Sequence, residues 1–225
     1  MNSIGYFYNL HVNFDAFLYS VMSVKMFSPG SPIITFMDRS LESPSSESLD
    51  LKYGSVLFKI GIPIKHRDVW CSYIDQKDGS EINTPKMKEY FSRIYEACKI
   101  LNTDWIIRME DDVHLRHPIK HLPETTCAGN YELYGMGGGS IFKRDRFIEI
   151  YENLPEDWFE KKIKNDGTYS WAADGLMKQL FTDHGETYSK WVEIIEDWQG
   201  DNPEAAVHHG NKTLYDKKYL EFRGL

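Results

Sequence analysis

Residues 4–37 read IGYFYNLHVNFDAFLYSVMSVKMFSPGSPIITFM, and this stretch decides the predicted fold. The apolar and aromatic run at 4–8 has the composition of a strand, and 14–27 places its apolar residues at helical spacing. Pro29-Gly30 then ends the helix, and 33–37 is a second apolar strand. A strand, a helix and a strand within about 35 residues have the length of a βαβ unit, whose parallel strands are covered by helices on both faces. The stretch therefore predicts an α/β fold, Rossmann-like, with a mostly parallel central sheet.

The same alternation continues downstream. Thr84-Pro85 is typical of a helix start, with Thr84 as the cap, and 105–109 is a further apolar strand. We expect a single domain over residues 1–225, with a more irregular second half. The remaining predicted elements are a helix at 48–60, a weak strand at 63–66, a glycine-rich turn and strand at 134–142, a helix at 144–154, a charged loop at 161–166, a helix at 175–182 and a last strand at 205–207.

The composition excludes several classes of protein. The chain has 225 residues, of which 41% are hydrophobic and 27% charged, as in ordinary globular proteins. Its 34 acidic residues outnumber its 26 basic residues, so a nucleic-acid partner is disfavoured. Apolar runs stay below the roughly 18 residues that span a membrane, and the N-terminus lacks a basic segment followed by an apolar one. These features predict a cytoplasmic protein without a membrane span.

Glu110-Asp111-Asp112 is the sharpest chemical feature, because three carboxylates follow directly on the strand at 105–109. Ligands in open α/β sheets bind beyond the carboxyl ends of the strands. Adjacent carboxylates repel one another, and a divalent cation such as Mg²⁺ or Mn²⁺ removes that cost. The alternative is a solvated acidic turn.

Three further features have both a structural and a functional interpretation. The glycine-rich segment at 135–139 is either a bulge or a place where the backbone approaches a ligand closely. Asp174 precedes a short helix and is suited to cap it. The pair His208-His209 is either exposed or offers one imidazole to a metal, since adjacent strand residues face opposite ways. Which of the two would bind stays open. Lys212, close by, adds a positive charge that suits an anionic ligand.

Read in chain order, these segments resemble the nucleotide-sugar-dependent glycosyltransferases of the GT-A fold. Tyr8-Asn9 ends the first strand, and Met37-Asp38-Arg39-Ser40 is similar to the acidic turn after the second strand. The segment Met109–Val113 looks like the D-x-D element of that family in an E-D-D form. A glycine-rich segment leading into Phe142-Lys143-Arg144 follows, and Trp171–Leu176 resembles the acidic motif at a helix start.

The resemblance implies a role for each of these residues at the donor. Tyr8 and Asn9 border the nucleotide base, and Asp38 contacts the base or the ribose. Glu110 and Asp111 contact the ribose or a metal-bound water. The donor sugar packs against Gly138 and Gly139.

The resemblance also implies a metal and a base. Asp112 ligates Mn²⁺ or Mg²⁺, with His208 or His209 as a second protein ligand. Asp174 is the general base that takes a proton from the acceptor hydroxyl.

The predicted function is therefore metal-dependent transfer of a sugar from a nucleoside diphosphate sugar to an acceptor hydroxyl, with a glycan as the expected acceptor and inversion at the sugar. We expect residues 1–113 to form the nucleotide-binding half and residues 114–225 the acceptor-binding half. Two alternatives remain: a non-catalytic glycan-binding domain of the same fold, and a metal-dependent nucleotidyltransferase.

Overall fold

The computed structural model describes residues 3–10, 14–38, 56–61, 83–130, 135–163, 173–196 and 202–210. These ranges contain ten strands: β1 (Ile4–Leu10), β2 (Ile33–Asp38), β3 (Val56–Gly61), β4 (Trp105–Met109), β5 (Val113–Leu115), β6 (Cys127–Gly129), β7 (Ile141–Lys143), β8 (Tyr188–Lys190), β9 (Ile194–Glu196) and β10 (Val207–His209). They also contain five helices: α1 (Phe14–Phe27), α2 (Thr84–Ile100), α3 (Arg144–Glu152), α4 (Trp158–Ile163) and α5 (Ala173–Thr182).

Seven strands form the main sheet in the order β3-β2-β1-β4-β7-β6-β8. The first four are parallel, whereas β7 runs antiparallel to both β4 and β6. The pair β6 and β8 is again parallel. The structure thus confirms a mixed α/β fold with a mostly parallel sheet. Because β7 pairs with β4, one sheet runs through both halves of the chain.

Alternate residues of the central strands build two separate cores, one on each face of the sheet. Tyr6 and Ile107 belong to the cluster that includes Phe17 and Val21 of α1. On the opposite face, Phe7 packs with residues of α2, α3 and α5. This division follows from the two-residue period of a strand. Helices therefore cover both faces, as the sequence predicted.

A second, three-stranded sheet has the order β5-β10-β9. Its strand β10 is antiparallel to β5 and parallel to β9. Each of its strands contributes to the core on the side of α1, through Val113, Ile194 and Val207. The small sheet is therefore packed against the main sheet just beyond the end of β4.

Helix α2 shows why its sequence forms a helix and where it begins. Its buried residues recur at helical spacing and include Met87, Phe91 and Ile94. Asn83 is the N-cap, because its side-chain oxygen accepts a 3.0 Å hydrogen bond from the Lys86 amide. The prediction that Thr84 caps the helix is therefore wrong by one residue. None of the helices within the described ranges has the length and apolar character needed to cross a membrane.

Two other predicted elements are corrected by the structure. Residues 56–60, expected at the end of a helix, form β3, whose branched and aromatic run pairs in parallel register with β2. Residues 161–163, expected in a loop, end α4, because Trp158 and Phe159 anchor that helix in the core. The weak strand predicted at 63–66 lies outside the described residues.

Candidate active site

The candidate site lies at the edge of the sheet where the parallel strands end. Tyr8 pairs with Met109, so Asn9 lies level with Glu110 on the neighbouring strand. Asp38 is the last residue of β2 at the same edge. The carboxyl ends of β1, β2 and β4 therefore meet where open α/β sheets bind their ligands.

A tight turn carries the acidic triplet from β4 into β5. The Val113 amide donates a 3.2 Å hydrogen bond to the Glu110 carbonyl oxygen. Gly210, just after β10, donates its amide hydrogen to the Asp112 carbonyl oxygen at 3.0 Å. Because His209 pairs with Val113 in the small sheet, this histidine lies beside the acidic turn at 110–112.

Glu110, Asp112 and His209 form a group of possible metal ligands. One ligand atom from each lies within 4.8 Å of the other two. The Nε2 atom of His209 is 3.5 Å from Oδ1 of Asp112. Two carboxylates and one imidazole are suitable ligands for Mn²⁺, and the oxygen atoms also suit Mg²⁺. The donor set thus fits the divalent cation that the resemblance implies.

The two adjacent histidines occupy different environments. His208 is buried, and its ring packs edge-on against His114 with 5.0 Å between ring centroids. His209 points to the acidic turn instead and is 23% exposed. The geometry therefore favours His209 over His208 as the ligand, a choice that the sequence left open.

This difference gives a matched pair of variants. We expect His209→Gln to weaken Mn²⁺ binding by at least about 10-fold, since even residues that only support a ligand cost that much. His208→Gln should leave the Mn²⁺ affinity unchanged while lowering the urea midpoint, because it disturbs a buried ring contact. Calorimetry with Mn²⁺ measures both affinities. Equal losses of affinity in the two variants would contradict the assignment.

Arg108 is a buried cation directly beneath the acidic turn. Its side chain is 3% exposed. Its Nη2 donates to Oε1 of Glu110 at 2.5 Å and to Oδ1 of Asp174 at 2.6 Å. Its Nη1 donates to the Met136 carbonyl oxygen at 2.6 Å, and the guanidinium lies 5.7 Å from the centre of the Tyr90 ring. One side chain thus joins β4, α2, the glycine-rich segment and α5.

Burial and neighbouring groups shift the pKa values of Arg108 and Asp174. Burial lowers the pKa of Arg108, but the interactions with Tyr90, Asp174 and Glu110 raise it by a larger amount. The pKa of Arg108 therefore lies well above its ordinary value. Burial raises the pKa of the Asp174 carboxyl, and Arg108 offsets this only in part. Arg108 is therefore always charged, and Asp174 holds a proton more readily than an ordinary aspartate.

Asp174 lies inside the first turn of α5, one residue after the helix begins. Its Oδ1 is bound to Arg108, and its Oδ2 lies on the side of Gly137, 3.5 Å from where a β-carbon of that residue would be. The carboxylate that the sequence suggested as a helix cap is therefore engaged in an ion pair and faces the glycine-rich segment.

The glycine-rich segment at 135–139, together with Ser140, links β4 to the start of α5. Gly139 donates its amide hydrogen to the Arg108 carbonyl oxygen at 2.7 Å, and Met136 donates to the Asp174 carbonyl oxygen at 2.9 Å. A β-carbon at Gly138 would lie 3.0 Å from Cδ of Glu110. A β-carbon at Gly139 would instead collide with the small sheet, 2.6 Å from Ile194. Gly138 therefore borders the site, and Gly139 allows the two sheets to pack.

Gly135 offers a test of this packing. Its φ of +102° is in the left-handed region, and a β-carbon there would lie 2.2 Å from the Asp174 carbonyl oxygen. Gly30 has a φ of +84° with no neighbour within 4 Å, so it isolates the backbone cost. We expect Gly30→Ala to cost about 1–2 kcal/mol and Gly135→Ala about 3 kcal/mol or more in urea unfolding. Similar losses in both variants would contradict the close approach.

The other predicted site residues lie in different surroundings. Tyr8 is buried, its hydroxyl 2.7 Å from Oγ of Ser20, so its side chain belongs to the core. Asn9 is half-buried, and its Oδ1 accepts a 2.8 Å hydrogen bond from Arg93. Asp111 is buried in the acidic turn, outside the group of possible ligands. Lys212 lies outside the described residues.

Arg108 is the residue that sequence reasoning missed. The sequence does contain a feature that could have identified it. Arg108 is a single charged residue within the otherwise apolar run Trp105–Met109, immediately before the acidic triplet. A charge inside a buried strand needs partners of opposite charge, and Glu110 and Asp174 provide them.

No protein-family model matches the chain, and no curated protein resembles it significantly in sequence.

Proposed function

We propose that this protein is a metal-dependent glycosyltransferase of the GT-A fold, which moves a sugar from a nucleoside diphosphate sugar to an acceptor hydroxyl with inversion. The resemblance of its ordered segments to that family motivates the proposal. The mixed α/β fold, with its mostly parallel sheet, is compatible with it.

One observation carries the proposal: residues from distant parts of the chain meet at a single edge of the sheet. Glu110 and Asp112 come from the turn after β4, Asp174 from the start of α5, and His209 from the end of β10. Arg108 joins Glu110 to Asp174 through one nitrogen atom. A solvated acidic turn needs neither the imidazole nor the buried arginine, so the arrangement favours a functional site.

In this proposal Asp174 is the general base. Its Oδ2, on the Gly137 side, takes the proton from the acceptor hydroxyl. The hydroxyl oxygen forms a bond to the anomeric carbon of the donor, and the bond from that carbon to the diphosphate breaks. The electron pair leaves with the diphosphate. The raised pKa of Asp174 suits this role, because a base works best when its pKa approaches the working pH.

Asp112 and His209 are predicted ligands that would hold the cation. Glu110, for which the resemblance implies a contact with the ribose or a metal-bound water, would join them, because its carboxylate lies in the same group of possible ligands. When bound, Mn²⁺ or Mg²⁺ supplies positive charge against the diphosphate of the donor. Asn9 and Asp38 lie at the same edge of the sheet and stay the predicted contacts of the nucleotide. The donor-sugar role of Gly138 fits its position beside Glu110.

The first experiment is a panel of nucleoside diphosphate sugars, screened by thermal shift with and without Mn²⁺. A bound donor raises the melting temperature by mass action, about 2.7 kcal/mol of stabilisation at a ligand concentration 100 times Kd. Donors that shift the protein only with Mn²⁺ are then incubated with sugar acceptors, and the released product is identified.

The product separates the proposal from its alternatives. Mn²⁺-dependent release of nucleoside diphosphate with formation of a glycoside supports sugar transfer. Release of pyrophosphate would instead indicate nucleotidyl transfer. Binding of glycans without turnover of any donor would indicate a non-catalytic glycan-binding domain.

A further inference from the structure

Arg108 lies close enough to the Asp174 carboxylate to fix its position. The two charged groups are 2.6 Å apart, and the arginine contributes almost nothing to the surface. The same Nη2 nitrogen is bound to Glu110, so the guanidinium lies between both carboxylates. Two carboxylates this close to one another would otherwise repel.

The guanidinium is held from further directions. Nη1 donates to the Met136 carbonyl oxygen, and the Tyr90 ring faces the cation. The backbone of Arg108 also pairs with the glycine-rich segment, donating to Ser140 at 2.9 Å and accepting from Gly139 at 2.7 Å. Its side chain therefore has little freedom to move, and neither has the carboxylate that it binds.

A lysine cannot reproduce this arrangement. The planar guanidinium directs several N–H groups along fixed directions, so one group reaches two carboxylates and a carbonyl oxygen together. The ammonium of lysine is a compact charge on a flexible stem, and it keeps the charge without the geometry. Arg108→Lys thus separates positioning from charge.

We propose that Arg108 is a positioning residue, which holds Oδ1 of Asp174 so that Oδ2 is presented toward Gly137 and the acceptor. This inference rests on the proposed function, in which Asp174 is the base. Arg108 acts through Asp174 and forms no bond to the donor or acceptor in the reaction.

The test is a double-mutant cycle of Arg108→Lys and Asp174→Asn, measured as nucleoside diphosphate release from the donor found in the panel. We expect Arg108→Lys to lower kcat by about 100-fold, the size of effect that a displacement of about 1 Å produces, with little change in KM. If Arg108 acts through Asp174, the double variant has the same kcat as Asp174→Asn alone. Each preparation is normalised by its Mn²⁺-binding stoichiometry, so that loss of folded protein is not counted as loss of kcat.

Arg146 provides the matched control. It too binds a carboxylate, that of Glu186 at 2.5 Å, and a backbone carbonyl oxygen, that of His184 at 3.0 Å. It lies on α3, away from the candidate site. Arg146→Lys should leave kcat unchanged. An unchanged kcat in Arg108→Lys, or a double variant whose loss is the product of the two single losses, would overturn the proposal.

The same cycle in urea gives a readout besides activity. If the two side chains are bound in solution, the urea midpoint of the double variant falls by less than the sum of the single losses. Additive losses would overturn the proposed contact between Arg108 and Asp174, whatever the activity. If the unaltered protein turns over no donor, the proposed function fails, and the catalytic part of this inference fails with it. Non-additive losses in urea would then still establish that Arg108 holds Asp174.

Discussion

Replacing Asp112 with asparagine should reduce the affinity for Mn²⁺ by about 100-fold or more. The side chain of Asp112 is 9% exposed, and Oδ1 faces His209. Asparagine keeps the shape but removes the charge, so the group of possible ligands keeps one carboxylate in place of two. Loss of a residue that only supports a ligand costs about 10- to 100-fold, and loss of a ligand itself costs at least the upper part of that range.

Calorimetry with Mn²⁺ measures this effect directly, and addition of a nucleoside diphosphate shows whether its binding depends on the metal. Asp104→Asn is the matched control, because Asp104 lies beside the other end of β4 and its carboxylate binds Ser3. That variant should bind Mn²⁺ as the unaltered protein does. Unchanged affinity in Asp112→Asn would remove the metal from the proposed function.

Replacing Asp174 with asparagine should lower kcat by about 10²- to 10⁴-fold, the usual contribution of a general base. Asparagine cannot take the proton of the acceptor hydroxyl, although it can still accept a hydrogen bond from Arg108. Asp174 is not among the residues whose ligand atoms cluster around Asp112, so the affinity for Mn²⁺ should stay close to that of the unaltered protein.

The control for this variant lies at the other end of the same helix. Asp183 directly follows α5, and its carboxylate binds Lys162 at 2.6 Å and the indole of Trp158 at 3.2 Å. Asp183→Asn therefore removes an aspartate ion pair of similar kind without touching the site. Initial rates at saturating donor and acceptor compare the two variants. Full transfer by Asp174→Asn would refute its role as base.

The regular first part of the fold was predictable because its elements are long and strongly patterned. Strands β1 and β2 lie where the apolar runs predict them, and helix α1 lies where the helical spacing does; β1 continues only two residues beyond the predicted end. The strands β5, β6, β8 and β9 were not predicted. Each has three residues, which is too short for a two-residue period to be recognised.

The misassigned segment at 56–60 illustrates a different difficulty. A short apolar run is compatible with either a helix or a buried strand, and the sequence alone does not choose between them. Pairing with β2 decides in favour of the strand, through hydrogen bonds to residues that lie more than twenty positions earlier. Such long-range pairing is not encoded in a local pattern.

In the candidate site, too, some features follow from the local sequence and others depend on long-range strand pairing. The position of Glu110 and Asp112 directly after a strand indicates a metal site, whereas the role of Asp174 as base rests on the resemblance to the GT-A family, because its position alone indicates a helix cap. The distinction between His208 and His209 depended on the register of β10 against β5, which only the structure gives. The place of Tyr8 at the end of β1 favours a contact with the nucleotide base, but its hydroxyl points inward to Ser20.

The position of His209 on β10 also has a consequence for biosynthesis. The ribosome makes the chain from its N-terminus, so the acidic turn emerges almost one hundred residues before this histidine. A nascent chain that ends before Val207 lacks both the imidazole and the antiparallel partner of β5. Such an unfinished polypeptide has the two acids but not the complete ligand set. If the proposed cation binds here, only molecules whose synthesis has passed β10 have the complete set of ligands for it.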